Sequence, residues 1–255
     1  LIFEVRDIWP LTLTEEGGFS PRNPLVVALS IIEKLGYRRA DAIVGTMPNL
    51  GEHVKKVSGS ERPTYCIPMG VDVSTIQSPE VLPAEYVAAH VPDGRFLVAY
   101  AGSIGISNAL EAFFQCAERM RDDPRIHFVI VGDGDLRAGY VATYGDLPNV
   151  TFAPRVAKEL VHDFLSRCDL LYFAVHPSAV WDFGLSLNKL IDYMLAAKPI
   201  VASYSGYPSM VNEANCGTFV AAGDVDGLEA EIRRIALLPA EERVAMGTRG
   251  RAWLL

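Results

Sequence analysis

The chain has 255 residues, half of them apolar and 21% charged, with 23 Lys plus Arg against 31 Asp plus Glu and a formal charge of −8. That composition excludes disorder and low complexity, and the length suits one large or two smaller domains. With Arg38-Arg39 and Lys55-Lys56 the only adjacent basic pairs ahead of a late helix, there is no basic platform for nucleic acid. No apolar run approaches the ~20 residues that span a bilayer.

The opening residues Leu1-Ile2-Phe3-Glu4-Val5 read as a strand already under way, without a Met or a signal peptide before them. Strands are expected near Phe3–Val5, Ala42–Val44 and Tyr65–Ile67, and helices near Pro24–Arg39 and Asn49–Val57. Together they make half a domain, assigned to residues 1–73. Pro79, Pro83 and Pro92, with weak periodicity around them, place a linker over residues 74–94.

From residue 95 onward short apolar runs alternate with amphipathic stretches. The runs are Phe96–Ala101, His127–Val131, Val150–Ala153, Leu170–Val175, Pro199–Ser203 and Thr218–Ala221. Ser107 reads as the N-cap of a helix whose apolar face is Leu110, Phe113, Phe114, Ala117 and Met120. Leu160, Val161, Phe164, Leu165 and Cys168 repeat the spacing, as do Leu187, Leu190, Ile191, Met194 and Leu195. Continuous apolar strands separated by such helices predict an α/β fold, a doubly wound parallel sheet of about six strands over residues 95–255. The end, Trp253-Leu254-Leu255, breaks off inside a helical pattern, so both ends read as those of a fragment.

Metal and disulfide chemistry find little support. Cys66, Cys116, Cys168 and Cys216 stand far apart, and the five histidines form no metal-binding pair. The cysteines read as reduced core residues of a cytoplasmic protein.

In a doubly wound sheet ligands bind outside the carboxyl ends of the strands, which selects four loops. Gly102-Ser103-Ile104-Gly105 is a small-residue turn that either lets backbone amides approach phosphate oxygens or merely turns tightly. Gly132-Asp133-Gly134-Asp135 fails as a dinucleotide fingerprint, because Arg137 stands at the third glycine position, and reads as an ordinary turn rather than an Asp-x-Asp metal site. Pro154-Arg155-Val156 either supports a base or sugar or simply ends a strand. The longest loop runs from His176 through Trp181, Asp182, Phe183, Gly184 and Leu185 into Asn188, Lys189 and Asp192. Its aromatic residues are expected to be exposed and to close over a ligand, with Asn188, Lys189 and Asp192 on one helix face.

Phe183-Gly184-Leu185 through Asp192-Tyr193-Met194, then Lys198-Pro199-Ile200-Val201 and Val211-Asn212-Glu213-Ala214-Asn215-Cys216-Gly217, resemble the C-terminal domain of family 4 retaining glycosyltransferases. Glu4-Val5-Arg6-Asp7-Ile8-Trp9-Pro10 is similar to a late first-domain strand of that family's bacterial polysaccharide and lipopolysaccharide branch. Ile67-Pro68-Met69-Gly70-Val71-Asp72 is similar to its linker. The resemblance implies the B-type fold, two Rossmann-like domains facing across a cleft, the first incomplete here and residues 95–255 binding the nucleotide-sugar. It implies no metal and no cofactor besides the nucleotide-sugar substrate, with charge on the leaving diphosphate met by amides, a helix N-terminus and cations.

This sequence departs from the family where cations and carboxylates are usual. Ser103 and Asn108 stand where an Arg and a Lys are common, and Trp181 and Lys189 where two glutamates are. Lys189 is therefore expected to neutralise phosphate, with Asp192 toward the ribose hydroxyls and Arg155 a second cation. Donor contacts are assigned to Gly102, Ser103, Ile104, Gly105, Arg155, Val156, Phe183, Gly184, Leu185, Asn188, Lys189 and Asp192. Arg6 and Asp7 either position the acceptor or form a local ion pair. The resemblance implies transfer, with retention, from a UDP-N-acetylhexosamine or deoxy derivative to a lipopolysaccharide or lipid-linked glycan, in the cytoplasm or peripherally at the inner membrane face. The rival readings are a UDP-sugar epimerase of similar architecture and a nucleotide-sugar-binding fragment without catalysis.

Overall fold

A computed structural model describes residues 1–71 and 80–255. The chain divides into two compact units: Leu1–Met69 with Pro177–Leu187 and Gly206–Ser209, and Gly70–His176 with Asn188–Ser205 and Met210–Leu255. The boundary expected at residue 73, the linker residues 74–79 and Asp72 of the linker motif lie outside the described residues.

The first unit runs β1 (Ile2–Val5), α1 (Leu11–Glu15), α2 (Pro24–Arg39), β2 (Ala42–Gly45), α3 (Leu50–Ser58) and β3 (Thr64–Cys66). Its three strands are parallel, in the order β1-β2-β3. Helix α2 starts where expected because Asn23 accepts a hydrogen bond from the Leu25 N–H and Pro24 presets the backbone at the first turn. Between α2 and α3 lies an almost fully buried polar pair: His53 Nε2 and Glu33 Oε1 are 2.6 Å apart.

The second unit runs α4 (Ala84–His90), β4 (Phe96–Ala101), α5 (Glu111–Arg119), β5 (Ile126–Val131), α6 (Arg137–Tyr144), β6 (Val150–Ala153) and α7 (Lys158–Ser166). It continues with β7 (Leu170–Ala174), α8 (Asn188–Leu195), β8 (Ile200–Ser203), α9 (Met210–Glu213), β9 (Gly217–Val220), α10 (Val225–Leu237) and α11 (Ala240–Leu254). Helix α4 falls inside the stretch read as linker.

All six strands are parallel, in the order β6-β5-β4-β7-β8-β9. Helices α5 and α10 pack together against one face. There Phe113 stacks on Tyr172, and Phe114 stacks on Tyr140, Tyr144 and Phe152. Phe164, Leu165, Leu190 and Met194 of α7 and α8 are wholly buried, and each such side chain contributes about 1.5–3 kcal/mol.

The helix expected to start at Ser107 does not. Ser107 lies in a 3₁₀ turn, Ile106–Asn108, and α5 begins only at Glu111. Ala109, at φ +43°, stands in the left-handed region between the two and prevents a continuous helix.

Candidate functional site

In the second sheet β5 and β6 lie on one side of β4, and β7, β8 and β9 on the other, so the strand order reverses between β4 and β7. A crevice opens outside the carboxyl ends of the strands at such a point. The β4–β7 ladder covers only Val98–Leu170 and Ala99–Leu171. Beyond it the Tyr193 hydroxyl of α8 accepts from the Ala101 N–H at 3.1 Å and donates to the Tyr172 carbonyl at 3.0 Å.

Strand β4 runs directly into the small-residue turn. Gly102 N–H donates to Val131 O, and Ile104 N–H to Asp133 O. The turn after β5 fits against it so closely that a Cβ on Gly132 would stand 1.8 Å from Gly102 O, and one on Gly134 2.5 Å from Ile104 O. Both glycines have φ near +153°, so the Gly-Asp-Gly spelling is explained by backbone packing. The Ser103 and Gly105 N–H groups have no hydrogen-bond acceptor among the described residues.

Lys189, in the first turn of α8, reaches into this corner. Its ammonium donates to the Tyr100 hydroxyl at 3.1 Å and to Asn108 Oδ1, and lies 4.7 Å from the centre of the Tyr100 ring. A Cβ on Gly102 would be 3.7 Å from Nζ. Burial alone pushes the Lys189 pKa down to about 8. Burial also raises the pKa of Tyr100, which stays a neutral phenol and donates its own hydrogen bond to Ser103 O. The ammonium therefore has only neutral oxygens as partners among the described residues, an uncompensated half-buried charge.

Sequence reasoning missed Tyr100 and Asn108 as its partners. A tyrosine buried in a central strand two residues before a glycine was the available signal, since its hydroxyl needs a partner. Asn108 had been read only as a lost lysine.

The remaining residues have other neighbours. Asp192 has Lys158 and His162 of α7 as its charged neighbours, and burial raises its pKa. Asn188 and Arg155 are exposed and Val156 is half-buried. Arg155 makes no ion pair or hydrogen bond among the described residues, while the carbonyl of the preceding Pro154 accepts from the Tyr86 hydroxyl at 2.7 Å.

Phe183, Gly184 and Leu185 count with the first unit. The exposed aromatics expected in this loop are instead buried, Trp181 and Phe183 being 9% and 8% exposed. The reason for Phe183 is packing, for its ring meets His53 edge-on at 5.0 Å. Arg6 and Asp7 are exposed on the same unit after β1, and Arg6 pairs with Glu4 at 2.8 Å, not with Asp7. Among the described residues no three His, Cys, Asp or Glu side chains cluster to hold a metal, and no helix is long and apolar enough to cross a membrane.

Comparison with known proteins agrees with this architecture. WcaI of Escherichia coli (strain K12), named as a glycosyl transferase of colanic acid biosynthesis, is 29% identical over 163 residues, which are 61% of this chain and 39% of WcaI. The chain thus spans well under half of that curated relative. The crystal structure of WaaG, described as a glycosyltransferase involved in lipopolysaccharide biosynthesis, matches 99% of this chain and 70% of its own at TM-score 0.71 and 16% identity. HepE of Anabaena, solved in complex with UDP and glucose, matches 99% of this chain and 66% of its own at TM-score 0.67 and 14% identity. These likenesses establish the B-type glycosyltransferase fold, with two parallel Rossmann-like sheets of which the first is short here. The model of the family described as "Glycosyl transferases group 1" matches residues 95–237, more than half of the chain and all six strands of the second sheet, and the chain belongs to that family.

Proposed function

We propose that this chain carries the donor-binding part of a glycosyltransferase that moves a sugar, with retained anomeric configuration, from a UDP-N-acetylhexosamine or deoxy derivative to a lipopolysaccharide or lipid-linked glycan at the cytoplasmic membrane face. One observation carries the reading. A half-buried ammonium with only neutral partners among the described residues stands beside an amide-lined glycine turn at the strand-order reversal, where a diphosphate would supply the missing negative charge. The UDP complex of HepE supports a UDP-bearing donor, and the colanic acid biosynthesis name of WcaI and the lipopolysaccharide biosynthesis title of WaaG support the acceptor class.

In the proposed reaction the bond from the anomeric carbon to the leaving phosphate oxygen breaks, and a bond to the acceptor oxygen forms on the same face. The acceptor proton passes to the leaving diphosphate. Lys189 and the free Ser103 and Gly105 amides stabilise the charge that develops there, the preorganised electrostatics that usually form the largest catalytic term. No step in this scheme needs a metal. Arg155 and Val156 support the base or ribose, Asn188 and Asp192 contact the ribose side, and Arg6 and Asp7 orient the acceptor.

A thermal-shift panel of UDP, GDP, ADP and their sugars tests the reading. Selective binding by UDP compounds stabilises the folded state by an amount set by concentration over Kd, about 2.7 kcal/mol at a hundred times Kd, and so raises the melting temperature. No shift with any nucleotide overturns it. Transfer to a membrane extract with an inverted product, read by NMR, removes the retaining mechanism. A new sugar nucleotide formed without acceptor identifies an epimerase, and binding without transfer a catalytically silent fragment.

A further inference from the structure

The loop ahead of Lys189 is held far more tightly than a connection between two elements requires. Three successive carbonyls of its 3₁₀ turn are each taken by a group of the first unit. Trp181 O accepts from the Tyr207 N–H at 2.9 Å, Asp182 O from Asn49 Nδ2 at 3.0 Å, and Phe183 O from the Asn49 N–H at 2.9 Å. Asn49 precedes α3 and its side chain makes no cap for that helix. Its amide is spent instead on the loop, although Asn is a favoured N-cap residue.

Behind this contact the His53 ring is flanked by Phe183 at 5.0 Å and Tyr37 at 6.0 Å, and its Nε2 is fixed by Glu33. Gly184 then turns at φ +115° against Pro48, where a Cβ would come within 2.4 Å of Pro48 Cδ. A hydrogen-bonded polar pair inside an apolar contact contributes little net stability over apolar residues of the same shape, but it fixes direction. Leu187 is the last residue of this loop counted with the first unit, and Asn188 and Lys189 follow at once as the first turn of α8.

We infer that Asn49 and His53 are positioning residues that lock the Phe183–Leu185 turn and thereby set where the helix carrying Lys189 begins. The inference rests on the donor reading above. Lys189 has its own partners, Tyr100 and Asn108, outside the loop. Loosening the loop therefore spares nucleotide affinity and slows turnover, which needs the helix start held in one place.

The experiment compares the full chain with Asn49→Ala, Asn49→Asp, His53→Gln and His53→Leu. Asn49→Asp keeps the backbone donor and removes the side-chain donor, whereas His53→Gln keeps a donor for Glu33. For Asn49→Ala the expected result is a UDP Kd within threefold of the parent, kcat at least tenfold lower and a cooperative melt. His53→Gln is expected to recover activity that His53→Leu loses. Unchanged kcat in Asn49→Ala, or Kd and kcat worsening together, overturns the inference. If the parent chain neither binds UDP nor transfers sugar, the donor reading falls and amide hydrogen exchange decides this one. Faster exchange over residues 183–192 in Asn49→Ala supports the positioning role, and unchanged exchange overturns it.

Discussion

The two units bury polar groups in opposite ways. In the first, Glu33 and His53 are under a tenth exposed and satisfy each other, with the Tyr37 hydroxyl adding a bond to the same carboxylate. In the second, Lys189 is half-buried yet meets only the Tyr100 hydroxyl and Asn108 among the described residues. A buried group that is complete within the protein fixes structure, whereas a buried charge left incomplete is held ready for a partner from outside. On the proposed reading the first centre positions and the second binds a ligand, and each half of that contrast can be broken.

The largest effect expected is on folding, from Glu33→Ala. It leaves the imidazole and the Tyr37 hydroxyl buried without an acceptor, at a cost of about 3 kcal/mol in denaturant unfolding. Replacing both members, Glu33→Met with His53→Leu, is expected to return most of that loss. If the double variant is less stable than the single one, the pair stabilises in its own right and the contrast fails on that side.

Lys189→Met should act with opposite signs on the two quantities. Removing an uncompensated half-buried ammonium raises the melting temperature of the free chain, while UDP affinity falls about thirtyfold, or ~2 kcal/mol. Lower stability together with unchanged affinity would show the ammonium to be a structural hydrogen-bond donor and nothing more.

A pH series sharpens the same point. With its pKa at about 8 in the folded chain against an ordinary 10.5, Lys189 holds fewer protons folded than unfolded between those values. Its contribution to stability therefore rises with pH from about 8 to about 10.5, and the cost of burying the ammonium is felt in full below that window. UDP affinity should move the other way, weakening as pH climbs through about 8, and binding at pH 8 should take up a proton. Calorimetry in two buffers of different ionisation enthalpy measures that uptake, and Lys189→Met should abolish it.

The second sheet was legible because buried parallel strands are apolar along their whole length. Phe96–Ala101 and Val150–Ala153 were placed to the residue, and Thr218–Ala221 missed by one. The corner around Lys189 was legible only in part. Gly102 and Lys189 could be picked out as small residues and a lone cation, but Asn108 reaches the ammonium only because the chain pauses in a 3₁₀ turn that periodicity read as the start of a helix. The docking of Phe183 was hidden for another reason. It depends on His53, 130 positions earlier, and no local pattern relates an aromatic in one loop to a histidine on a distant helix. Helix α4 lay in a proline-rich stretch whose residues argued for a linker.

The smallest effect belongs to Arg6, a charge outside both buried centres. Its guanidinium is 82% exposed and pairs with Glu4, a contact that water and salt screen. Arg6→Ala should leave the melting temperature and UDP affinity unchanged, since neither depends on a solvated ion pair on β1. Under the proposed reaction it should still raise the acceptor KM severalfold with kcat nearly unaltered, the signature of lost ground-state binding. Glu4→Ala is the control. It frees Arg6 without removing it, so acceptor KM should stay level or fall. If both variants leave acceptor KM where it was, Arg6 is a strand-end ion pair without function, and acceptor recognition on this unit belongs to other residues.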